Sequence, residues 1–490
     1  MFWKKKPRRI NPLEPEQLDL SVDMFKRLTA NMTDAEIVDF QSINNLQVTL
    51  IYIKTLTDLE RLNEMIIEPL THCSDGNVLT CIISSKITKI TTLEEAKNGL
   101  LTGSCLIYDS LQNKWLSVPL ENPLGRSIES SETETILYGP KDSFTEQIER
   151  NINMLRRRLP ITELKTETFT VGSLTKTKVI LMYIEGIANP EIISIARKKI
   201  AKVNYDLILE SSNLGAFLED HIHSVFPQFQ QTDRPDQTAY NLGLGKIVIM
   251  VNNTPFVLIA PVTFFHFFQS PEDYIHKWVV ASFLRSLRMA GFWVSITLIP
   301  FYVALTTHHY QMIPLQLLFV LMESRSKLPF SPFWEGFLML LTLEVMKEAS
   351  LRMPTKTSQT LGVIGGIVIG QAAVEAGFAS KILIVLVGIS AISTFLVPNY
   401  LISKTNTIIQ FIFLVLASLL GIVGIVFGEI LLIAHLNGLT SLKQPFFAPL
   451  APLHIRDWKD FVIRAPLPWL KTRPEFLRPV QKWRFSQRRK

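Results

Sequence analysis

Three cysteines, Cys73, Cys81 and Cys105, are all that the 490 residues contain. Their odd number and their spacing match no metal-ligand pattern, which argues against a zinc site and against a disulfide framework. Buried free thiols in a reducing compartment are expected. A secretory leader is also missing: Met1-Phe2-Trp3 runs into charge, then proline, then a polar stretch. The first half of the chain is therefore expected to stay in the cytoplasm. Catalytic signatures are lacking as well, with no nucleotide loop, zinc signature or nucleophile elbow. Gly243-Leu244-Gly245 has no third glycine and follows no clear strand, so it reads as a turn. His308-His309 closes an apolar run, where an interfacial helix end or a metal pair would fit. His221 and His223 lie two apart on an expected helix and so point to different faces. No internal repeat is visible, which weighs against an inverted-repeat transporter. Nothing calls for a cofactor or metal, and no enzyme is expected.

Charge is scarce in one half only. Hydrophobic residues make up 47% of the chain and mean hydropathy is +0.23. Residues 1–240 have ordinary soluble composition, whereas nearly all long apolar runs lie beyond Gly291. No Lys, Arg, Asp or Glu occurs between Met289 and Met322, and Ala290–Thr307 is long enough for one span. Three more uncharged stretches are Thr357–Val374, Ile382–Ser403 and Thr405–Gly428. Four spans put both ends of the chain on one side. Both ends are basic, from Lys4 to Arg9 and from Lys443 to Lys490, which favours the cytoplasmic face and anionic headgroups. Basic tails can also mark nucleic-acid binding, but no recognition motif accompanies these, so no nucleic-acid partner is expected. Pro332–Leu351 is long enough to cross yet carries Glu335, Glu344, Lys347 and Glu348. Such a segment is expected to be re-entrant or interfacial, or to face a protein interior. Lys347 follows Glu344 by three residues and Arg352 follows Glu348 by four, a spacing that supports a helix locally.

Before Gly291 the pattern alternates between helix and strand. Helix is expected over Leu18–Phe40, Leu56–Leu70, Thr92–Leu101, Ser143–Arg158, Phe217–Val225 and from Pro190 to about Val203. Strands are expected over Gln47–Ile53, Leu79–Ile83, Cys105–Tyr108, Trp115–Val118, Thr166–Thr170 and Lys178–Ile184. Ile247–Val251 and Phe256–Ile259 read as a hairpin around Asn252-Asn253-Thr254-Pro255. The expected fold class is an α+β soluble N-terminal region of two α/β subdomains, followed by an α-helical transmembrane bundle. Its parts are subdomains 1–121 and 122–245, a hairpin and linking helix 246–286, a transmembrane region 287–440 and a basic cytoplasmic tail 441–490. Within 287–440 the spans fall near 290–307, 357–378, 382–403 and 405–436, with a re-entrant or interfacial segment at 313–351.

The most informative segment runs from Gly362 to Gly377. Gly362, Gly366 and Gly370 recur every four residues and form a stripe on which helix backbones can pack closely in lipid. Ile364, Val368, Gln371 and Glu375 form a second face that turns from apolar to acidic. Such a face suits a water-filled conduit with a hydrophobic constriction and a ring of carboxylates. It suits equally a tightly packed bundle helix whose Glu375 reaches the surface. Glu429, near the end of the last span, and His435 after it are further candidates by position.

Longer motifs carry a resemblance. They include Gly139-Pro140, Phe144-Thr145-Glu146, Asn151, Arg156-Arg157-Arg158, Tyr183-Ile184-Glu185-Gly186-Ile187 and Thr232-Asp233-Arg234-Pro235-Asp236. They continue with Phe267-Phe268-Gln269-Ser270-Pro271-Glu272-Asp273-Tyr274, Leu351-Arg352-Met353-Pro354, Ile369-Gly370-Gln371-Ala372-Ala373-Val374-Glu375-Ala376-Gly377, Val397-Pro398-Asn399-Tyr400 and Arg464-Ala465-Pro466. Over roughly residues 125–470 the chain resembles the A subunit of a GerA-type spore germinant receptor. Tyr138 stands where that family usually has Arg, and Asp233 where it usually has Glu. The resemblance implies a multi-pass protein of the spore inner membrane, with its soluble region on the core side. It implies partnership with a transporter-like B subunit and a lipoprotein C subunit, homo-oligomers, and cation release when a nutrient binds. It favours the conduit reading of Gly362–Gly377. A non-conducting signalling scaffold and a secondary transporter are the competing functions.

Overall fold

The computed structural model describes residues 20–41, 47–73, 78–84, 86–122, 134, 138–326, 328–352, 368 and 370–484. Helix α1 (Val22–Leu28) starts at Ser21, whose side chain accepts from the Met24 amide, and ends at Thr29. The helix expected to reach Phe40 stops there. Asn31 takes a left-handed conformation at φ 61°, and Ala35–Gln41 becomes strand β1. It pairs antiparallel with β2 (Gln47–Ile53), Ala35 facing Ile53 and Gln41 facing Gln47. The alternating side chains of this segment serve a sheet better than one helical face, because each face of the sheet has its own core. Val48, Leu50 and Tyr52 point into one; Ile51 and Ile53 point into the other.

Past β2, Asp58 caps α2 (Leu59–Leu62), which continues through a π turn into α3 (Glu68–Thr71). The strand expected over Leu79–Ile83 is instead a helical turn, α4 (Val78–Cys81), and the short strand β3 (Thr88–Ile90) follows. Cys73 and Cys81, with Cα atoms 5.6 Å apart, form a disulfide. This corrects the expectation of three free thiols; Cys105 alone is free and buried. Thr92 and Glu95 form a capping box at the start of α5 (Leu93–Leu101). The chain leaves α5 at Gly103, φ 90°, where a Cβ would stand 2.6 Å from the Leu56 carbonyl oxygen, so only glycine fits. Strands β4 (Ser104–Asp109) and β5 (Lys114–Pro119) complete a sheet of order β1-β2-β4-β5-β3.

The second sheet, antiparallel throughout, has order β6-β7-β9-β10-β8. Its strands are β6 (Leu164–Val171), β7 (Thr177–Ile184), β8 (Gln230–Thr232), β9 (Ile247–Val251) and β10 (Val257–Ala260). Helices cover both faces, which is why every residue of β9 is buried. On one side lie α6 (Ile148–Arg158) and α9 (Pro235–Leu244); on the other lie α7 (Pro190–Ala201) and α8 (Ser211–Leu218). The helix expected over Phe217–Val225 is displaced. The Gln228 side chain accepts from the amides of Asp220 and His221, and those groups are then lost to any helix. His221 and His223 therefore do not share a helix.

The remaining chain is helical. Its elements are α10 (Trp278–Thr307), α11 (Leu315–Arg325), α12 (Pro332–Leu351), α13 (Gly370–Glu375), α14 (Lys381–Phe395), α15 (Tyr400–Leu420) and α16 (Ile422–Gly438). By length and composition, α10 and α15 could each cross a membrane, and α14 and α16 are shorter apolar helices. The run expected as one span over 405–436 is two helices. Gly421, at φ 62°, reverses the chain, and α16 returns along α15 so closely that a Cβ on Gly424 would collide with the Leu416 carbonyl. The expected span at 382–403 is likewise divided, at Pro398-Asn399, where Asn399 caps α15. Pro332–Leu351, expected to be re-entrant or interfacial or to face a protein interior, is one continuous helix packed along α10, α14 and α15.

Candidate functional site

Of the residues expected to line a conduit, Ile364 lies outside the described residues, as do the expected packing glycines Gly362 and Gly366. Val368, Gln371 and Glu375 are exposed, and the Gln371 Nε2 donates to the Glu375 carboxylate over 2.9 Å. Gly370 faces α14, but a Cβ there would meet Ile384 at 3.8 Å, so this glycine leaves room for a methyl group. The turn α13 thus sets its backbone against α14 and leaves Gln371 and Glu375 turned outward. The chain then bends at Gly377, φ 70°, and Ser380 caps α14 by accepting from Leu383.

Beside α13 lies a cavity of 840 Å³ between α12, α14 and α15. Most of its wall is apolar, but Glu344, Lys347 and Lys404 line one part of it, and Glu348 and Arg352 extend their cluster. Lys347 is 3.3 Å from Glu344, and Arg352 is 2.9 Å from Glu348, as their spacing suggested. Lys404 of α15 joins the two carboxylates, at 3.2 Å from Glu344 and 3.1 Å from Glu348. Thr407 donates to Glu344 as well. The sequence reading missed Lys404. Its signal is that it is the single charged residue between Ile382 and Gly428. At the other end of α12, Glu335 is wholly buried and accepts from the amide of Ser380, while Arg325 lies 3.8 Å away. These partners explain how a helix with four charges fits among apolar neighbours.

A second charged cluster joins the helices to the α/β region. Asp273, fully buried, accepts from Arg285 Nε at 2.8 Å and from Arg288 at 2.8 Å. Arg285 also donates to Asp460 at 2.9 Å, and the Tyr274 hydroxyl donates to Asp460 at the same distance. The guanidinium groups of Arg285 and Arg464 lie 5.5 Å and 5.4 Å from the Tyr274 ring centre. Close by, burial pushes the Lys246 ammonium down to about 7, with Asp460 opposing the shift. Burial also holds His266 well below its ordinary value, aided by the charges of Lys246 and Arg285. Residues 441–484, expected as a basic tail, fold back across this joint. The Val480 amide donates to Ile187 at 3.0 Å and Arg473 Nε donates to the Gly243 carbonyl at 2.8 Å.

Arginines of the middle motifs are also used within the chain. Arg156 is buried and holds Asp34 of the first α/β unit through two side-chain bonds, at 2.5 Å and 2.6 Å. Burial pushes the Asp34 carboxyl up, but Arg156, Thr166 and Thr55 outweigh it and hold it below the usual carboxylate range. Arg157 pairs with Glu121 at 3.0 Å and Arg158 with Asp142 at 2.5 Å. Arg234 is buried, donating to Asp236 at 2.8 Å and to the Pro140 carbonyl at 3.1 Å. Among the histidines, His308 lies 2.8 Å from the Ser418 carbonyl and His435 lies 3.0 Å from the Ser224 hydroxyl. Among the described residues, no group of three or more His, Cys, Asp or Glu could hold a metal.

Residues 23–476 match the family described as Bacillus/Clostridium GerA spore germination protein. The chain belongs to the GerA family. Spore germination protein GerQA of Bacillus cereus is 38% identical over 90% of this chain and 90% of its own. Spore germination protein KA of Bacillus subtilis is 33% identical over 88% of this chain and 81% of its own. Another relative, 33% identical over 94% of this chain and 91% of its own, is the uncharacterized membrane protein YfkQ of Bacillus subtilis. Among solved structures, the N-terminal domain of the A subunit of the Bacillus megaterium spore germinant receptor GerK3 is 31% identical. It covers 49% of this chain and 93% of its own, with a TM-score of 0.38. In GerA-family terms, the motifs that carried the resemblance map onto the joints just described. Asp273 and Arg464 hold the helices, Arg156 holds the two α/β units together, and Arg234 holds the loop at Pro140.

Proposed function

We propose that this chain is the A subunit of a nutrient germinant receptor in the spore inner membrane, and that its copies assemble into a nutrient-gated cation path. Family membership supports the receptor reading. The observation that carries the channel reading is the division of α13, with Gly370 against α14 and Gln371 and Glu375 turned away from the chain. An exposed carboxylate beside exposed Val368, on a segment between apolar helices, suits a surface repeated around an axis. Several Glu375 side chains would concentrate cations at the mouth, and Ile364 with Val368 would form the dewetting constriction. Gly362 and Gly366 would complete the packing face. A transporter-like B subunit and a lipoprotein C subunit are the partners.

The helix directions support a topology with the α/β region and both chain ends on the core side. Gly421 sits against His308 and His309 at the far end of α10, and α16 returns to place His435 beside Ser224 of the α/β region. The division into 1–121, 122–245, 246–286, 287–440 and 441–490 is kept in this reading, with 441–484 as a strap rather than a free tail. The test is ion flux through receptor complexes reconstituted in liposomes. Val368→Ala should raise basal leak and cause germination without nutrient, and Glu375→Gln should reduce cation preference while leaving assembly intact. If both conduct like the parent, the path lies elsewhere and this helix only packs.

A further inference from the structure

We propose that the folded strap, residues 441–484, is a membrane-surface platform that takes anionic phospholipid headgroups; this rests on the membrane reading above. Helix α10 has 30 residues, about 45 Å at 1.5 Å per residue, whereas a hydrocarbon core is about 30 Å thick. Arg285 and Arg288 lie near its start and residues 289–307 carry no charge, so its first turns are the ones set at the headgroup level. The strap is fastened there. Arg464 donates to the His276 carbonyl at 2.9 Å, and the Ser282 hydroxyl donates to the Arg464 carbonyl at 3.2 Å. Next to it, Val279, Val280 and Phe283 of α10 are exposed.

The strap buries Phe476 and Leu477 against Leu244 and Tyr240 of α9, yet it leaves three indoles outside. Trp458, Trp469 and Trp483 are 46%, 65% and 54% exposed. Thr472 bridges to Trp483, Trp469 shares a cleft with Lys459, and Trp458 directly precedes that lysine. The charges divide in the same way. Asp460 is held by Arg285, Asp457 accepts from the Glu475 amide, and Glu475 pairs with Arg456 at 2.9 Å. Lys459, Lys471 and Lys482 are exposed and form no ion pair with the described residues. The strap thus exposes indoles together with unneutralised ammonium groups. Indoles settle at the headgroup level, and lysines there are drawn to anionic lipid. A second copy is the poorer occupant, because a two-fold contact of this face with itself would set lysine against lysine.

The experiment uses the full chain in nanodiscs whose phospholipids carry bromine high on the acyl chain, with either neutral or anionic headgroups. Tryptophan quenching of the parent is compared with that of a variant lacking the three indoles (Trp458→Ser, Trp469→Ser, Trp483→Ser). The strap signal, which is the difference, should be quenched in anionic discs and much less in neutral ones. Lys459→Gln, Lys471→Gln and Lys482→Gln together should abolish that preference while the elution profile stays that of the parent. Trp293, on α10, serves as the control through Trp293→Phe. If Trp293 is quenched and the strap indoles are not, the platform is overturned and the membrane reading stands. If Trp293 is unquenched too, both fail. Strap shielding that appears only as the protein self-associates assigns the face to a second copy and also overturns the proposal.

Discussion

Asp273→Asn tests whether the charged joint holds the helices to the α/β region. Asp273 has no exposed surface and accepts three charge-assisted bonds, one from Arg285 Nε and two from Arg288, all between 2.8 and 2.9 Å. Arg285 is 2% exposed. After the substitution it would keep Asp460 and the Phe461 carbonyl but lose its closest counter-charge, and it could not reach water. Removing one partner of a buried pair costs about 3–5 kcal/mol, because the other charge stays buried. Tyr274→Phe is the graded comparison. It deletes one hydrogen bond to a charged oxygen, worth about 1.5–3 kcal/mol, and keeps the ring between Arg285 and Arg464. The assay is thermal unfolding of the detergent-solubilised full chain, followed by near-UV dichroism. A double-mutant cycle of Asp273→Asn with Arg285→Gln should give a coupling of about 2–3 kcal/mol. Additive effects, or an Asp273→Asn melting midpoint equal to that of the parent, would refute the account of the joint.

Four further outcomes follow from the same physics. Because Arg156 holds the Asp34 carboxyl below its ordinary range, this pair stabilises the fold above about pH 4 and is lost as pH falls through the lowered value, so Asp34→Asn should flatten the acid limb of a pH–stability curve. Lys246 titrates near 7 in the fold against about 10.4 unfolded, so stability should rise with pH across that window, and Lys246→Met should stabilise more at pH 6 than at pH 10 in chemical denaturation. Gly103→Ala should destabilise by more than about 1 kcal/mol, read by the same method, since it adds a clash with the Leu56 carbonyl to an unfavourable φ. Lys404→Met should loosen α12 from α15, seen as faster amide exchange in Pro332–Leu351, since it removes both ion pairs between them and leaves Thr407 as the side-chain partner of Glu344 on α15.

The α/β half was legible where local signals agreed. The Thr92 capping box with Glu95, Pro190 after Asn189, and the Asn252-Asn253 turn each fix their element within the segment itself, and those elements lie where they were expected. The failures have a common cause in partners far along the chain. Ala35–Gln41 is amphipathic enough for a helix, and only β2 decides otherwise. Phe217–Val225 loses its helix to the side chain of Gln228. Cys73 and Cys81 look unpaired until the packing of α3 and α4 brings them together.

In the helical half, composition located the apolar segments but not where they turn. An uncharged run from Thr405 to Gly428 reads as one span, because hydropathy sums side chains and is blind to φ. Gly421 turns the chain back within that run. The charges pose the opposite problem. Read singly, Glu335, Glu344, Lys347 and Glu348 argue against packing among apolar helices. Read with Arg325 and Lys404, they fit it, because an ion pair lowers the cost of burial only when both members are counted. The same reasoning changes the meaning of Arg156–Arg158. Three consecutive arginines at a helix end suggest, taken alone, a charged surface free to meet a partner. Each has an acidic partner in this chain, at Asp34, Glu121 and Asp142. Assembly, if it uses charge, must therefore use other residues, and Gln371 and Glu375 are the polar pair that the proposed conduit helix leaves facing outward.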